Sequence, residues 1–255
     1  MFKPKTPRVA ELAKKFSDII RQLDAIFDKP TNVYIDFANV KHWQKKLGWH
    51  IDLKRLKQLL DSFEMVKIVK FYYGTLENDP LENVYTKTAT DCGYEVKTKP
   101  VKVMNWSIDV SGIDPGSPTV IANFIAKPFL YKLDVETIEF LNSKLLEMNR
   151  GGVKALKVLK CNFDVEIGRD MLLDYSQGDI DNFILWSGDS DFADPIQQLV
   201  DDNKKVMIFA VARRVSVELG QSQAGIFDIR KIKEFICRSK ELSSEITADF
   251  KNKLL

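Results

Sequence analysis

Two carboxylates one residue apart, Asp189 and Asp191, follow an apolar run, Phe183 to Trp186, that stops at Ser187-Gly188. A buried parallel strand ends in this way when its C-terminal tip carries a site. Carboxylates held that close repel and raise each other's pKa unless a cation lies between them, so the chemistry suggested is divalent-metal binding. An isolated Asp-x-Asp is more often an acidic turn with a helix cap. A second segment of the same design, far upstream, shifts the balance.

That segment runs from Val33 to Val40. It opens with β-branched and aromatic residues after the turn signal Lys29-Pro30-Thr31-Asn32. It places Asp36 at a strand end and Asn39 three residues on, at the mouth of the next helix or loop. In an open α/β sheet the strand C-termini converge on one crevice, which lets Asp36 meet Asp189 and Asp191 across a long sequence separation.

A third acidic element lies between Lys160 and Asp170. Asp164 falls in the first turn of a helix, where a capping role competes with a ligand role. Asp170 is about 120° around that helix from it, so the two do not both point straight into one site. Asp164 ranks as the ligand candidate and Asp170 as a supporting or structural residue. Glu166 and Asp174 read as solvent-face residues. Asp36, Asp164, Asp189 and Asp191 then form a four-carboxylate cluster whose all-oxygen donors favour Mg²⁺ or Mn²⁺ over zinc. Such ions activate water for attack on phosphorus. In this arrangement Asn39 orients a ligand or phosphate, Lys160 neutralises a phosphate and Ser187 holds a carboxylate. A structural lysine or serine is an equally good account of the last two.

The elements that must position these residues alternate in type. Apolar spacing predicts one amphipathic helix over residues 8–28 and a strand over Val33–Phe37. It then predicts a helix from Asp52 to Phe63, a strand from Val66 to Tyr73, a helix capped by Asp79, and a short strand from Tyr94 to Lys97. This β-α-β-α-β rhythm marks a parallel sheet with right-handed crossovers. Residues 100–152 interrupt it as an insertion longer than an ordinary connection. Within it, 119–133 is apolar and strand-like, and Val135 to Met148 reads as helical. Afterwards come a helix from Cys161 to Tyr175 with Asn162 as cap and the strand Phe183–Ser187. A helix capped by Asp194 with Pro195 at its first position follows, then strands at 206–211 and 227–229, with a short helix at 215–220 between them. A long basic amphipathic helix is expected from Lys231 onward. The expected organisation is a terminal helix at 1–29, a core domain at 30–236 with the insertion at about 100–152, and a helical extension at 237–255.

The 255 residues carry 38 basic and 36 acidic side chains, a net charge of +2 that supports no global argument for nucleic acid. Local clusters occur at Lys41–Lys57 and at Lys97, Lys99 and Lys102, although solvated faces explain each cluster taken alone. Cys92, Cys161 and Cys237 show no metal-ligand spacing, and with two histidines a zinc site is not expected. Such cysteine usage fits a reducing compartment. No run reaches the ~18 apolar residues of a membrane span, and no signal-peptide core follows Met1. The expectation is a cytoplasmic, soluble protein without a membrane partner. A P-loop NTPase is excluded by the lack of a glycine-rich phosphate loop, and Ser/His/Asp chemistry is poorly supported.

The segments around Asp36, Asp164 and Asp189–Asp191 together resemble the three acidic motifs of the NYN domain, most closely the LabA-like group among the PIN-like nucleases. The last strands and the Ser-x-x-Leu segment at Ser216–Leu219 are similar to that family as well, and the likeness covers about residues 31–100 and 153–236. The resemblance implies a three-layer α/β/α sandwich with a mainly parallel, PIN-like (Rossmann-like) sheet and extra terminal helices. It also implies a Mg²⁺- or Mn²⁺-dependent ribonuclease site at Asp36, Asn39, Asp164, Asp189 and Asp191. The substrate on this reading is single-stranded or structured RNA, cleaved endonucleolytically. Basic residues near Asp36 and at 97–102 would track phosphates, and Trp43, Trp49 and Trp106 would stack bases or, as commonly, pack in the core. The competing reading is a catalytically weak NYN-like module for RNA binding or protein interaction. The insertion and terminal helices are the candidate surfaces for a homodimer.

Overall fold

The computed structural model describes residues 1–75, 80–107, 110, 112–151, 155–211 and 215–247, with side chains except at 80–83, 103–107 and 155–160. Asp79 and the side chains of Trp106 and Lys160 lie outside the described residues. In chain order the elements are α1 (Pro7–Lys15), α2 (Ser17–Ile26), β1 (Thr31–Asp36), α3 (Phe37–Leu47), α4 (Leu53–Leu60), β2 (Val66–Thr75), α5 (Pro80–Asp91) and β3 (Glu95–Pro100). There follow β4 (Lys102–Ser107), α6 (Lys127–Leu130), α7 (Val135–Arg150), β5 (Ala155–Lys160), α8 (Asp164–Gln177) and β6 (Asn182–Trp186). The last are α9 (Ala193–Asp201), β7 (Lys205–Ala210), α10 (Val217–Gln221), β8 (Gly225–Asp228) and α11 (Lys233–Ile236).

Six of these strands form one parallel sheet in the order β3-β2-β1-β6-β7-β8. The chain winds outward from β1 to β3, then returns to the other side of β1 with β6. That reversal makes the gap between the C-terminal ends of β1 and β6 the switch point, where open α/β sheets hold ligands. All six residues of β1 are buried, as a central strand covered on both faces requires. On one face lie α8 and α9, reached by Asn32, Tyr34, Lys70 and Tyr72 through hydrogen bonds to α8. On the other face Phe37 of α3 packs on Phe71 of β2 at 4.8 Å, Phe27 after α2 packs on Phe209 of β7 at 6.1 Å, and α5 lies against β2 and β3. The architecture is the expected three-layer α/β/α sandwich.

Several elements differ from expectation. The N-terminal helix breaks at Phe16 (φ −112°, ψ 45°), whose ring packs against Phe235 while its carbonyl accepts from Ile19 and Ile20. The long helix expected from Lys231 is cut short to α11, and helix returns only at 244–247. Cys237 bridges antiparallel to Ile51, and Arg55 donates to the Cys237 carbonyl at 2.8 Å, which draws that backbone away from helix. Asp194 sits inside the first turn of α9 and Pro195 follows it, because a 3₁₀ turn at Ser190–Phe192 runs directly into the helix. The side-chain cap there comes from Asp189 instead.

The chain divides into two compact units, Met1–Pro100 with Cys161–Leu255, and Val101–Lys160. In the second, β4 and β5 pair antiparallel from Lys102↔Lys160 to Ser107↔Ala155. The 119–133 stretch is a 3₁₀ turn at Val120–Asn123 followed by α6, not a strand. Asn142 of α7 explains this locally. Its amide accepts from the Ile121 N–H at 3.0 Å and donates to the Pro118 carbonyl at 2.6 Å, so that backbone is satisfied without a strand partner.

Candidate active site at the switch point

Asp36 is the last residue of β1 and the N-cap of α3, where its carboxylate accepts from the Asn39 N–H at 3.2 Å. The register Ile35↔Trp186 sets the ends of β1 and β6 side by side. Ser187, fully buried just past β6, donates from Oγ to the Asp36 Oδ2 at 3.3 Å and accepts from the Asp189 N–H at the same distance. Asp189 then accepts from the Asp191 N–H at 3.4 Å and caps the 3₁₀ turn. Thus one buried hydroxyl links the carboxylate of the first strand to the loop that carries the other two.

Burial pushes the Asp36 carboxyl up to about 6, against the pull of the Asn39 N–H and the Ser187 hydroxyl, and the Asp189 charge adds to the rise. Asp164, in the first turn of α8, is also pushed well above the usual carboxylate range. Burial is the largest cause, followed by the charges of Asp189 and Asp36 and by contact with Asp191. The four carboxylates therefore share one electrostatic environment. Asp164 Oδ2 is buried with no hydrogen-bond donor. Its neighbour Asp191 is another acceptor, which bonds to it only through a shared proton. Among the described residues, no three acidic, histidine or cysteine side chains converge in a constellation that would itself hold a metal ion. The donor chemistry nonetheless fits a hard cation: oxygen only, excess negative charge, and a buried oxygen without a donor.

A cleft of about 760 Å³ opens beside this cluster, lined by Asn162, Asp164, Gly168, Asp191, Asp194 and Glu218 among others. Asn162 Oδ1 accepts from the Asp164 N–H at 2.8 Å and so fixes the start of α8. Glu218 was not evident as a cleft residue from sequence. The signal lay in the Ser-x-x-Leu segment: Ser216 caps α10 by accepting from the Leu219 N–H at 3.2 Å, and its own N–H donates to the Gly188 carbonyl at 3.0 Å. The segment thereby fastens α10 to the loop that bears Asp189.

Asp174, Asp170, Glu166 and Lys97 have partners of their own. Asp174 is not a solvent-face residue. It is buried beneath the sheet, accepting from Asn32 at 2.7 Å, from Tyr34 and from Lys70 at 2.8 Å, because β1 and β2 turn polar side chains toward α8. Asp170 is structural and its carboxyl is low. Burial would raise it, but bonds from Arg169 and Tyr72 outweigh that. Glu166 is half-buried and pairs with Lys99 at 2.6 Å, while Lys97 pairs with Glu95 at 3.0 Å. Lys97 and Lys99 are therefore engaged within the protein. Asn39 contributes its backbone N–H to Asp36. Lys160 ends β5 in the Val101–Lys160 unit.

The NYN domain model matches residues 138–229, a segment that holds Asp164, Ser187, Asp189 and Asp191 and leaves out Asp36 and Asn39. The NYN domain belongs to the PIN-like nuclease superfamily, and the matched segment, well under half of the chain, is similar to it. NYN/PIN-like nucleases typically use divalent metals. A crystal structure of a protein of unknown function, VPA0982 from Vibrio parahaemolyticus RIMD 2210633, is similar over 82% of this chain and 95% of its own, at 20% identity and a TM-score of 0.48. That likeness carries no functional argument. No curated protein matches the chain. No helix among the described residues is long and apolar enough to cross a membrane.

Proposed function

We propose that this protein is a divalent-metal-dependent ribonuclease, most simply an endonuclease. The observation that carries the reading is the uncompensated negative charge shared by Asp36, Asp164, Asp189 and Asp191 at the switch point of a nuclease-type fold. Asp36, Asp164, Asp189 and Asp191 would hold Mg²⁺ or Mn²⁺. The ion supplies an acidified water and charge stabilisation on the scissile phosphate. The chain's own residues prepare for it. Ser187 and the Asn39 N–H fix the rotamer of Asp36, the Asp189 cap sets the loop, and the Asn162 turn aims the start of α8. Three widely spaced cysteines suit a reducing cytoplasm.

A second reading, a catalytically weak RNA-binding module, draws on the absence of a three-ligand metal constellation among the described residues. The two separate in one assay. RNA and DNA oligonucleotides are incubated with Mg²⁺, Mn²⁺ or chelator, using wild type, Asp36→Asn and Asp189→Asn. The ribonuclease reading expects metal-dependent RNA cleavage that falls at least 100-fold in either variant, with RNA binding retained. Wild type inert in both metals sinks it in favour of the binding module.

A further inference from the structure

The acidic cleft names no cation among its lining residues, only Asp164, Asp191, Asp194 and Glu218 as charged groups. A polyanion gains nothing from such a surface unless positive charge is supplied elsewhere on the molecule. A second cavity, of about 330 Å³, has the opposite character. Its lining is Trp43, Leu47, Trp49 and Val211 with Lys46, Arg230 and Lys233, and no carboxylate is among them.

The cavity's parts come from elements that end at the same edge of the sheet as the acidic cluster. Val211 follows β7 and Arg230 follows β8, as Asp36 ends β1 and Asp189 follows β6. The helix α3 begins at Asp36 and carries Trp43 and Lys46. At 1.5 Å per residue they lie roughly 10 and 15 Å from Asp36 along its axis. The two indoles are each 6% exposed and belong to the hydrophobic core, so core packing fixes them where they border the cavity. Arg230 is braced by Asp228, which takes its Nε at 2.9 Å and also its Nη2, leaving donors of the fork free for another anion. Among the described residues, the exposed Lys46 pairs with no carboxylate and Lys233 has only Glu234, at 3.8 Å.

We infer that this cavity is a nucleotide subsite: Trp43 and Trp49 wall a base, and Lys46, Arg230 and Lys233 hold its phosphate. Two aromatic walls with three cations match a ligand that is flat and apolar at one end and doubly acceptor-rich at the other. An acidic peptide lacks the first part and inorganic phosphate lacks it too. That the nucleotide belongs to an RNA strand running on toward Asp36 rests on the ribonuclease reading; the pocket's own chemistry does not. The site would anchor the strand away from the acidic cleft, so that the scissile phosphate is brought to carboxylates which by themselves repel it.

The test uses the full chain in chelator, so that no cleavage occurs. A fluorescein-labelled decamer of RNA is titrated by anisotropy across a salt series, with AMP, triphosphate and a poly-glutamate peptide as competitors. Lys46→Glu/Lys233→Glu alters one exposed and one partly exposed position, and Trp49→Leu is the second variant, accepted if its thermal unfolding remains cooperative. The double variant should weaken RNA binding at least tenfold and flatten the log-log salt slope by about 0.7 for each phosphate no longer neutralised. Trp49→Leu should abolish competition by AMP. Unchanged affinity and slope in the double variant overturn the inference. So does triphosphate or the peptide displacing RNA as well as AMP does. If wild type binds RNA through this pocket yet never cleaves with metal, the subsite stands and the nuclease reading fails. If it cleaves while the pocket variants bind normally, the subsite alone fails.

Discussion

Asp36 holds its proton up to about pH 6 because burial removes the water that would solvate the carboxylate. Unfolded, the same group titrates near 3.8. Between those values the folded state binds more protons than the unfolded one, so this group's contribution to stability is present below about pH 4 and is lost as pH rises through about 6. In chelator, wild type should therefore lose thermal stability relative to Asp36→Asn as pH rises from 4 to 6.5. Mn²⁺ at pH 7 should raise the wild-type midpoint and leave the variant's nearly unchanged. A wild-type-minus-variant difference that is flat with pH removes the electrostatic account of the site. At this scale the ligand candidates were legible because strand tips and helix starts announce themselves: Asp36, Asp164, Asp189 and Asp191 each sit beside a break in apolar pattern. Asp174 was misread for the converse reason. On a helix a buried Asp looks like an exposed one until its partners are known, and Asn32, Tyr34 and Lys70 lie more than a hundred residues away.

The elements that aim these residues are joined by a polar seam between the sheet and α8. Lys70 and Asp174 form a buried pair at 2.8 Å, with Tyr34 and Asn32 bonding the same carboxylate and Tyr72 bonding Asp170 one turn earlier. A seam of this kind fixes the rotation of α8 about its axis, and hence where its first-turn residue Asp164 points. Asp174→Ala leaves the Lys70 ammonium buried and unpaired, which should cost about 3–5 kcal/mol in urea unfolding. Lys70→Met/Asp174→Leu should recover most of that stability while losing the rotational lock, and so should still impair cleavage. A single-variant loss below about 1 kcal/mol would show that the pair is hydrated and does not set α8. The helix and strand order was readable from period and turn residues, since each βα unit buries its own apolar face. What could not be read was where tertiary contacts override period. The packing of Phe16 against Phe235 splits the first helix, and the Ile51–Cys237 bridge leaves α11 four residues long.

At the scale of the whole molecule, the central sheet closes without the middle of the chain. Among the described residues, the core cluster runs from Val9 to Tyr94 and from Phe163 to Ile246, with partly buried neighbours such as Val96 and Cys161 and none from 101–160. The antiparallel register begins at Lys102↔Lys160, so the two ends of the Val101–Lys160 unit leave the chain as paired strand neighbours, about 5 Å apart. Cys161 Sγ lies 3.9 Å from the Lys99 carbonyl within the sheet-bearing unit, which brings the flanking residues together as well. A linker of four Gly/Ser residues in place of 101–160 therefore spans the cut with little closure entropy. The shortened chain should unfold cooperatively, with the far-ultraviolet signature of an α/β protein and metal-dependent cleavage of short RNA retained. If the excised unit selects substrate, discrimination between structured and unstructured RNA should change while the Asp189→Asn variant of the shortened chain stays inactive. Non-cooperative unfolding or ANS binding would show that the six-stranded sheet depends on the inserted unit, and that its separate core is not sufficient for folding.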